Sequence, residues 1–565
     1  MSPSATTERS TPAGAGVRLS LTWPVDADLD ATLGALVEAR FASRLASRDY
    51  TLWGAAAEDE ASKRLAWVDL ATASRPLVPE ILALRDELAS RGLTRVVLCG
   101  MGGSSLAPEV ICERYGVPVV VLDSSDPDFV RAAIEQDLAH TVVVVASKSG
   151  GTVETDSQKR AFEKAFTDAG IDPATRIVVV TDPGSPLEQS ATAAGYRVFR
   201  ADPEVGGRYS ALTAFGLVPS GLAGADIAGL LDEAAAVAPR LAEDHAENPG
   251  LLLGGLVGLA ATRGVDKLVL ADADSAYPGL ADWVEQLVAE STGKDGVGVL
   301  PVVVESLSAP GFATSTADSV LATYGPGAAP AAPASGWAAS VDATLGAQLL
   351  LWEYATSVAG QLLGINPFDQ PDVESAKAAA REMLEGAGHT PEPLFTDGPV
   401  TVFASPGWLP EGVGTAAAAL AALLDRLDPE HGYLSVQAYL DRGRDASLAQ
   451  VRGALTERTG RPVTFGWGPR FLHSTGQYHK GGPATGIYLQ LTGQPEADLA
   501  VPDRPFTFHE FLTAQAVGDG QVLAGAGRPV LRLHLSGPGE VAALVAALVT
   551  APANAPAEAP GETLA

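Results

Sequence analysis

Two stretches of this chain gather hydroxyls and glycines where a strand should give way to a helix. Ser147-Lys148-Ser149-Gly150-Gly151-Thr152-Val153-Glu154-Thr155 follows Thr141 to Ala146, an uncharged, β-branched run that suits a strand buried on both faces. After it, Asp156 to Glu163 reads as helix. At such a turn the unpaired backbone N–H groups and the helix dipole favour an anion. The glycines let the backbone approach closely, Ser147, Ser149 and Thr152 can each donate a hydrogen bond, and Lys148 adds a charge, which together suit a phosphate monoester. Taken alone, the same residues fit a plain helix cap equally well. A second stretch of this kind starts from the short apolar run Thr94 to Cys99 and continues as Gly100-Met101-Gly102-Gly103-Ser104-Ser105-Leu106-Ala107-Pro108. It lacks the third glycine of the dinucleotide fingerprint and carries Ser104 and Ser105 at the helix start, so a nicotinamide cofactor is set aside. Two such turns about 45 residues apart can lie side by side at the carboxyl edge of one parallel sheet, in outline a sugar-phosphate pocket.

The elements needed to hold these turns can be read in order. Apolar residues at helical spacing, Leu29, Leu33, Leu36 and Val37 and then Leu65, Trp67, Val68 and Leu70, predict helices between 26 and 88. Strands at 95–99, 117–122, 141–146, 176–181 and 196–200, most of them separated by helical stretches, predict a five-stranded parallel sheet with helices on both faces. A loop from Asp202 to Ser210 with Arg208 at its tip closes this unit. A second α/β unit follows from about Leu222, with helices at 227–241, 251–262 and 280–290 and strands at 267–271 and 297–304. A proline-containing excursion from Gly325 to Gly336, a buried helix at 342–363 and a helix bearing Lys377 complete it. Beyond a linker at 388–399, strands at 400–404, 433–438 and 462–466 alternate with helices at 414–427 and 448–459. The expected class is α/β: two parallel-sheet, doubly wound, flavodoxin-like domains (16–220 and 221–388), a third C-terminal α/β region (398–550), and loose ends at 1–15 and 551–565.

A chain of 565 residues is long enough for two or three cores. Its formal charge of −30 disfavours nucleic-acid and anionic-membrane partners, so a phosphorylated substrate must be drawn by a local site. No segment reaches 18 uninterrupted apolar residues, and no signal peptide is apparent. The two cysteines, Cys99 and Cys112, suit core thiols in a reducing cytoplasm. None of the eight histidines has the companions of a metal motif, so no metal and no cofactor is expected.

Five motifs in chain order carry a resemblance. The two turns at 100–108 and 147–155, then Gly206-Gly207-Arg208-Tyr209-Ser210, Glu290-Ser291-Thr292-Gly293-Lys294 and Phe368-Asp369-Gln370-Pro371-Asp372-Val373-Glu374-Ser375-Ala376-Lys377 resemble the glucose-6-phosphate isomerase family and its sugar-isomerase domains. Together they span about 280 residues. The chain departs from the usual pattern at Ser149-Gly150-Gly151 and at Asp372, where the family has a glycine. It is more similar still to the isomerase unit found fused to transaldolase in some bacteria, which shares a stretch like His473-Ser474-Thr475-Gly476-Gln477-Tyr478-His479-Lys480-Gly481-Gly482-Pro483.

The resemblance implies a small-molecule sugar-phosphate substrate, an aldose–ketose isomerisation through an enediol, and a homodimer. Gly103, Ser104, Ser147, Lys148, Ser149 and Thr152 would bind the substrate's phosphate end. Glu290, at the end of an apolar helix, would be the base, Arg208 would steady the enediol charge, Lys377 would lie near the ring oxygen and Gln370 would contact the sugar. The family's ring-opening histidine precedes its lysine motif, but no histidine lies between His245 and His389 here. The likeness in the third region favours His479 over His473, donated to a neighbouring subunit. Mannose 6-phosphate as a further substrate, an amino sugar phosphate, and a non-catalytic sugar-phosphate regulator on the same fold all stay open.

Overall fold

The structure is a computed structural model that describes residues 5–11, 16–330, 333–384, 391–537 and 541–550. Its first strands, β1 (Thr6–Ser10) and β2 (Val17–Pro24), run antiparallel. Five later strands, β3 (Arg95–Gly100), β4 (Val120–Leu122), β5 (Thr141–Ala146), β6 (Ile177–Thr181) and β7 (Arg197–Arg200), form a wholly parallel sheet in the order β4-β3-β5-β6-β7. Every residue of β5 and β6 is buried, as expected of strands with no polar face to offer solvent. The order is doubly wound. The neighbours β3 and β5 send their crossovers in opposite directions, and open α/β sheets leave a crevice at such a point. The helices that follow, α1 (Leu106–Tyr115) and α2 (Val153–Asp168), start at the two hydroxyl-glycine turns.

In the second sheet β8 (Lys267–Asp272), β9 (Leu300–Val303), β10 (Ser319–Tyr324) and β11 (Ala338–Ala343) are mutually parallel. β2 pairs antiparallel with β11 and gives the order β1-β2-β11-β10-β8-β9. The N-terminal stretch thus departs from expectation. Residues 6–10 form an edge strand rather than part of a loose end. β2, grouped by sequence with 16–220, completes the sheet of the following unit, because Val17, Leu19, Leu21 and Trp23 alternate inward with period two. The helices α3 (Leu280–Thr292), α4 (Leu345–Leu363) and α5 (Val373–Leu384) follow their strands. One apolar cluster runs from Val17 to Phe368 and joins one face of the first sheet to the second.

The third sheet has β12 (Phe395–Asp397), β13 (Val400–Ala404), β14 (Tyr433–Tyr439), β15 (Val463–Trp467), β16 (Gly486–Gly493) and β17 (Val530–Leu535), in the order β12-β13-β17-β16-β14-β15. Its last four positions are parallel, and β12 and β13 close one side antiparallel. The short helix α6 (Gly476–Gly481) and the long α7 (Phe508–Gly525) complete it. No helix among the described residues is long and apolar enough to cross a membrane. The expected loose end at 551–565 lies outside the described residues.

The third region is docked by charge as well as by packing. Asp318, 4% exposed, accepts 2.6 Å from Arg461 Nη2 and lies 3.2 Å from Lys267 Nζ. Removing that carboxylate leaves Arg461 buried without a carboxylate partner and should cost roughly 3–5 kcal/mol. Urea denaturation of Asp318→Ala against wild type checks this, and a loss below about 1 kcal/mol would contradict it.

Candidate active site

At the crevice the two turns are joined by a third. A Cβ on Gly103 would lie 1.9 Å from the Gly207 carbonyl oxygen, so only glycine lets the loop bearing Arg208 close over the Ser104 turn. Ser210 Oγ braces that contact by donating to the Gly207 carbonyl (2.6 Å). In the other turn Ser147 Oγ accepts from Gly150 N (3.1 Å) and lies 3.4 Å from Thr152 Oγ1, while Ser149 Oγ accepts from Gly151 N (3.2 Å). Gly150 has φ +81°, and a Cβ there would meet Leu187 Cβ at 2.6 Å, so this turn too requires its glycine. Thr152 is the N-cap of α2 but makes no side-chain cap bond, which leaves its hydroxyl available above the first N–H groups of the helix. Lys148 is used differently from expectation. Its ammonium donates to the carbonyls of Val205 (2.6 Å) and Pro203 (3.1 Å), with Asp182 at 3.4 Å, and ties the Arg208 loop to the turn. Burial, above all, lowers its pKa.

Arg208 is 3% exposed and spends its whole guanidinium on neighbours. Nε donates to Ser291 Oγ (2.8 Å), Nη1 to Gln370 Oε1 (2.9 Å), and Nη2 to the carbonyls of Pro367 (2.8 Å) and Asp369 (2.9 Å). Glu290 Oε1 lies 3.1 Å from Nη1. The structure therefore brings Arg208, Glu290 and Gln370 together. Glu290 sits at the last turn of α3, whose apolar residues are buried, and its other oxygen accepts from Gln286 Nε2 (3.1 Å). Lys294 just beyond donates to the carbonyls of Asn366 and Asp369 (both 2.7 Å) and to Asp369 Oδ1 (2.6 Å), so it fixes the same loop from below. Trp67 stacks on Tyr209 at 5.2 Å and Phe368 lies 5.5 Å from it, an aromatic wall behind the arginine. In front is an open cavity of about 320 Å³ lined by Arg64, Lys148, Gly207, Arg208, Gln370 and Pro371. Among the described residues no group of three or more His, Cys, Asp or Glu side chains could hold a metal ion.

The histidines exchange places relative to expectation. His479, 1% exposed, lies inside the third region against Tyr433, Phe471 and Tyr488, with Ser435 and Gln437 each 3.4 Å from a ring nitrogen. Burial, and then Lys480 and Arg528, push its pKa well below the ordinary value, so it stays neutral. The helix that carries it turns the His479 side chain, expected at the site, into the core of the third region. His473 faces the site instead. Its Nε2 is 2.9 Å from Glu154 Oε1, its carbonyl accepts from Gln286 Nε2 (2.8 Å), and Gln286 also holds Glu290. Gln515 of α7 donates to the same Glu154 oxygen (2.7 Å). The 473–483 stretch meets Glu290 within one chain. Gln477 donates to Asp372 Oδ2 (2.7 Å) and the Gly293 carbonyl (3.0 Å), and accepts from Asp372 N (3.0 Å). Asp372, the departure from the family pattern, is thus the residue that receives the third region. Lys377 falls on α5, and its side chain lies outside the described part of the structure. Sequence reasoning missed Glu154, Gln286, Lys294 and Gln515. Glu154 lay inside the singled-out nonamer, and only α2's rotation shows that it points at the third region.

A doubly wound sheet holds two hydroxyl-glycine turns at its crevice, with a buried carboxylate and arginine beside them. Residues 86–310 of this chain match the family described as phosphoglucose isomerase. The resemblance read from the motifs is thereby borne out over that segment. A glucose-6-phosphate isomerase of a Cyanothece strain is 37% identical over 220 residues, 36% of this chain and 40% of that protein. A hypothetical protein of Thermus thermophilus superposes with a TM-score of 0.54 at 26% identity, over 63% of this chain and 96% of its own. A glucose-6-phosphate isomerase from Chlamydia trachomatis shares the fold, with a TM-score of 0.53 at 20% identity over 67% of this chain and 90% of its own. The chain spans about half the length of the first curated relatives it matches.

Lys294 yields a pH test of the loop it fixes. Burial above all, and then Arg208, lower its pKa from 10.5 to about 8. Between those values the unfolded chain binds the proton and the folded chain does not, so this group's contribution to stability rises with pH from about 8 to 10.5 and is flat below. Denaturation of wild type and Lys294→Met across pH 7–11 should show their stability difference moving in favour of wild type by roughly 3 kcal/mol through that window. A difference constant with pH would contradict it.

Proposed function

We propose that this chain interconverts glucose 6-phosphate and fructose 6-phosphate through an enediol intermediate. The observation that carries the reading is the Glu290 carboxylate, buried at the end of α3 with the Arg208 guanidinium 3.1 Å away. Moving a proton between adjacent carbons beside a carbonyl needs a base and a fixed positive charge at the oxygen that becomes negative. The substrate's phosphate lies at the turns of Gly103 and Ser104 and of Ser147, Ser149 and Thr152, drawn by hydroxyls and the start of α2. Glu290 takes the proton from C2 of the open-chain aldose and the electron pair moves to the C1 carbonyl oxygen, whose charge Arg208 balances; the proton of the C2 hydroxyl then passes to O1, and Glu290 returns its proton to C1 as the C2 carbonyl forms.

Hexose phosphates are mostly cyclic, so a proton must first reach the ring oxygen. His473 takes this role, because Glu154, 2.9 Å from its Nε2, orients the ring. Lys377 and Gln370 keep the ring-oxygen and sugar contacts that the resemblance implies. The homodimer and a cytoplasmic location belong to the same proposal, although the ring-opening histidine is here supplied within one chain.

A coupled assay starting from fructose 6-phosphate, scoring glucose 6-phosphate against mannose 6-phosphate, tests the reaction directly. Glu290→Gln should keep sugar-phosphate binding and lose turnover by at least the ~10²–10⁴ of a general base. His473→Ala should fail in the reverse direction, on cyclic glucose 6-phosphate, yet still exchange protons with an open-chain analogue. Near-normal turnover in Glu290→Gln would remove it from the chemistry.

A further inference from the structure

Among the described residues the buried arginines divide into four that are matched and one that is not. Arg208 faces Glu290, Arg452 faces Glu305, Arg461 faces Asp318, and Arg528 donates to the carbonyls of Lys480, Gly482 and Pro483. Arg532 on β17 is 9% exposed, yet no carboxylate or hydrogen-bond acceptor pairs with its guanidinium among the described residues. It lies flat over Phe403, its neighbour across β13, at 4.2 Å from the ring centroid. Burial lowers its pKa to about 10, which still leaves it charged at neutral pH. Its nitrogens keep contact with solvent, so an acceptor on a ligand there would take the place of water.

Arg532 lines an open cavity of about 280 Å³ between the third sheet and α7. The remaining walls are largely apolar, from Pro391, Phe403, Val517, Ala524 and Val530. Glu392, exposed at the mouth, opposes a ligand with a second negative charge. Nothing in this cavity belongs to the Glu290 site. One wall, α7, also carries Gln515, the donor to Glu154. We propose that this cavity binds a small monocarboxylate with an apolar body, its carboxylate on the Arg532 guanidinium and its hydrocarbon against Val517, Ala524 and Val530. A planar guanidinium suits a bidentate carboxylate, and Phe403 holds it in place for one.

Titration calorimetry of the full chain with hexanoate and with 1-hexanol tests this without reference to any isomerase activity. Hexanoate should bind saturably at one site per chain and at least about tenfold more tightly than hexanol, the contribution of one charge-assisted contact. Arg532→Met, which keeps the apolar stem, should weaken hexanoate by about 10- to 100-fold and leave hexanol nearly unchanged. Ala524→Phe, which fills the cavity from α7 with Arg532 intact, should abolish both. Absence of saturable hexanoate binding to wild type overturns the proposal, as does unchanged hexanoate affinity in Arg532→Met. Should Arg532→Met fail to fold, unchanged affinity in Ala524→Phe overturns it equally.

Discussion

The guanidinium of Arg208 is the tie on which the site depends. It reaches the end of α3 through Ser291 and Glu290, and the loop before α5 through Pro367, Asp369 and Gln370, while its own loop is pressed on the Gly103 turn. Segments far apart in sequence are thereby fixed to within a hydrogen bond of one planar group. Five N–H donors in a rigid fork can do this, and a lysine could not. The burial that makes the arrangement stiff also makes it demanding, since taking away either charge would strand the other out of water. Glycines at 103 and 150 are the complement of this tie, because a side chain at either would hold the turns away from it.

Around this tie amides as well as ion pairs join the third region to the two sheets. Gln286 joins Glu290 to the His473 carbonyl, Gln477 joins the Gly293 carbonyl to Asp372, and Gln515 joins α7 to Glu154. Each amide donates across to another segment, and Gln477 also accepts from Asp372 N. The overall charge is −30, and the cavity carries Arg64, Lys148 and Arg208 beside Glu60 and Asp369, with Arg64 2.6 Å from Glu60 and Arg208 3.1 Å from Glu290.

The parallel sheet and both turns were legible because Thr141 to Ala146 has no polar face and because glycine and hydroxyl clusters mark strand-to-helix turns. β10 and β11 escaped notice because Ser319–Tyr324 and Ala338–Ala343 mix Ala and Ser with few β-branched residues, and their burial comes from neighbours rather than pattern. β1 is polar throughout and exists only because β2 offers it an edge. The different surroundings of the two histidines were hidden for a similar reason. His473 and His479 flank the same Gly-Gln pair, and only the placement of α6 decides that one ring enters the core and the other meets Glu154. Spacing along a chain fixes which residues are available, and the packing of distant segments fixes which of them meet.

The central claim is that a proton, carried by Glu290 beside Arg208, moves between adjacent carbons of a sugar phosphate. Nuclear magnetic resonance of the products formed from fructose 6-phosphate in heavy water reads this most directly, because a carboxylate that holds the proton between two carbons exchanges some of it with solvent. Deuterium should appear at C2 of the glucose 6-phosphate formed. Conversion without deuterium in either sugar after many turnovers would mean that hydrogen passes by another route, and would contradict the claim.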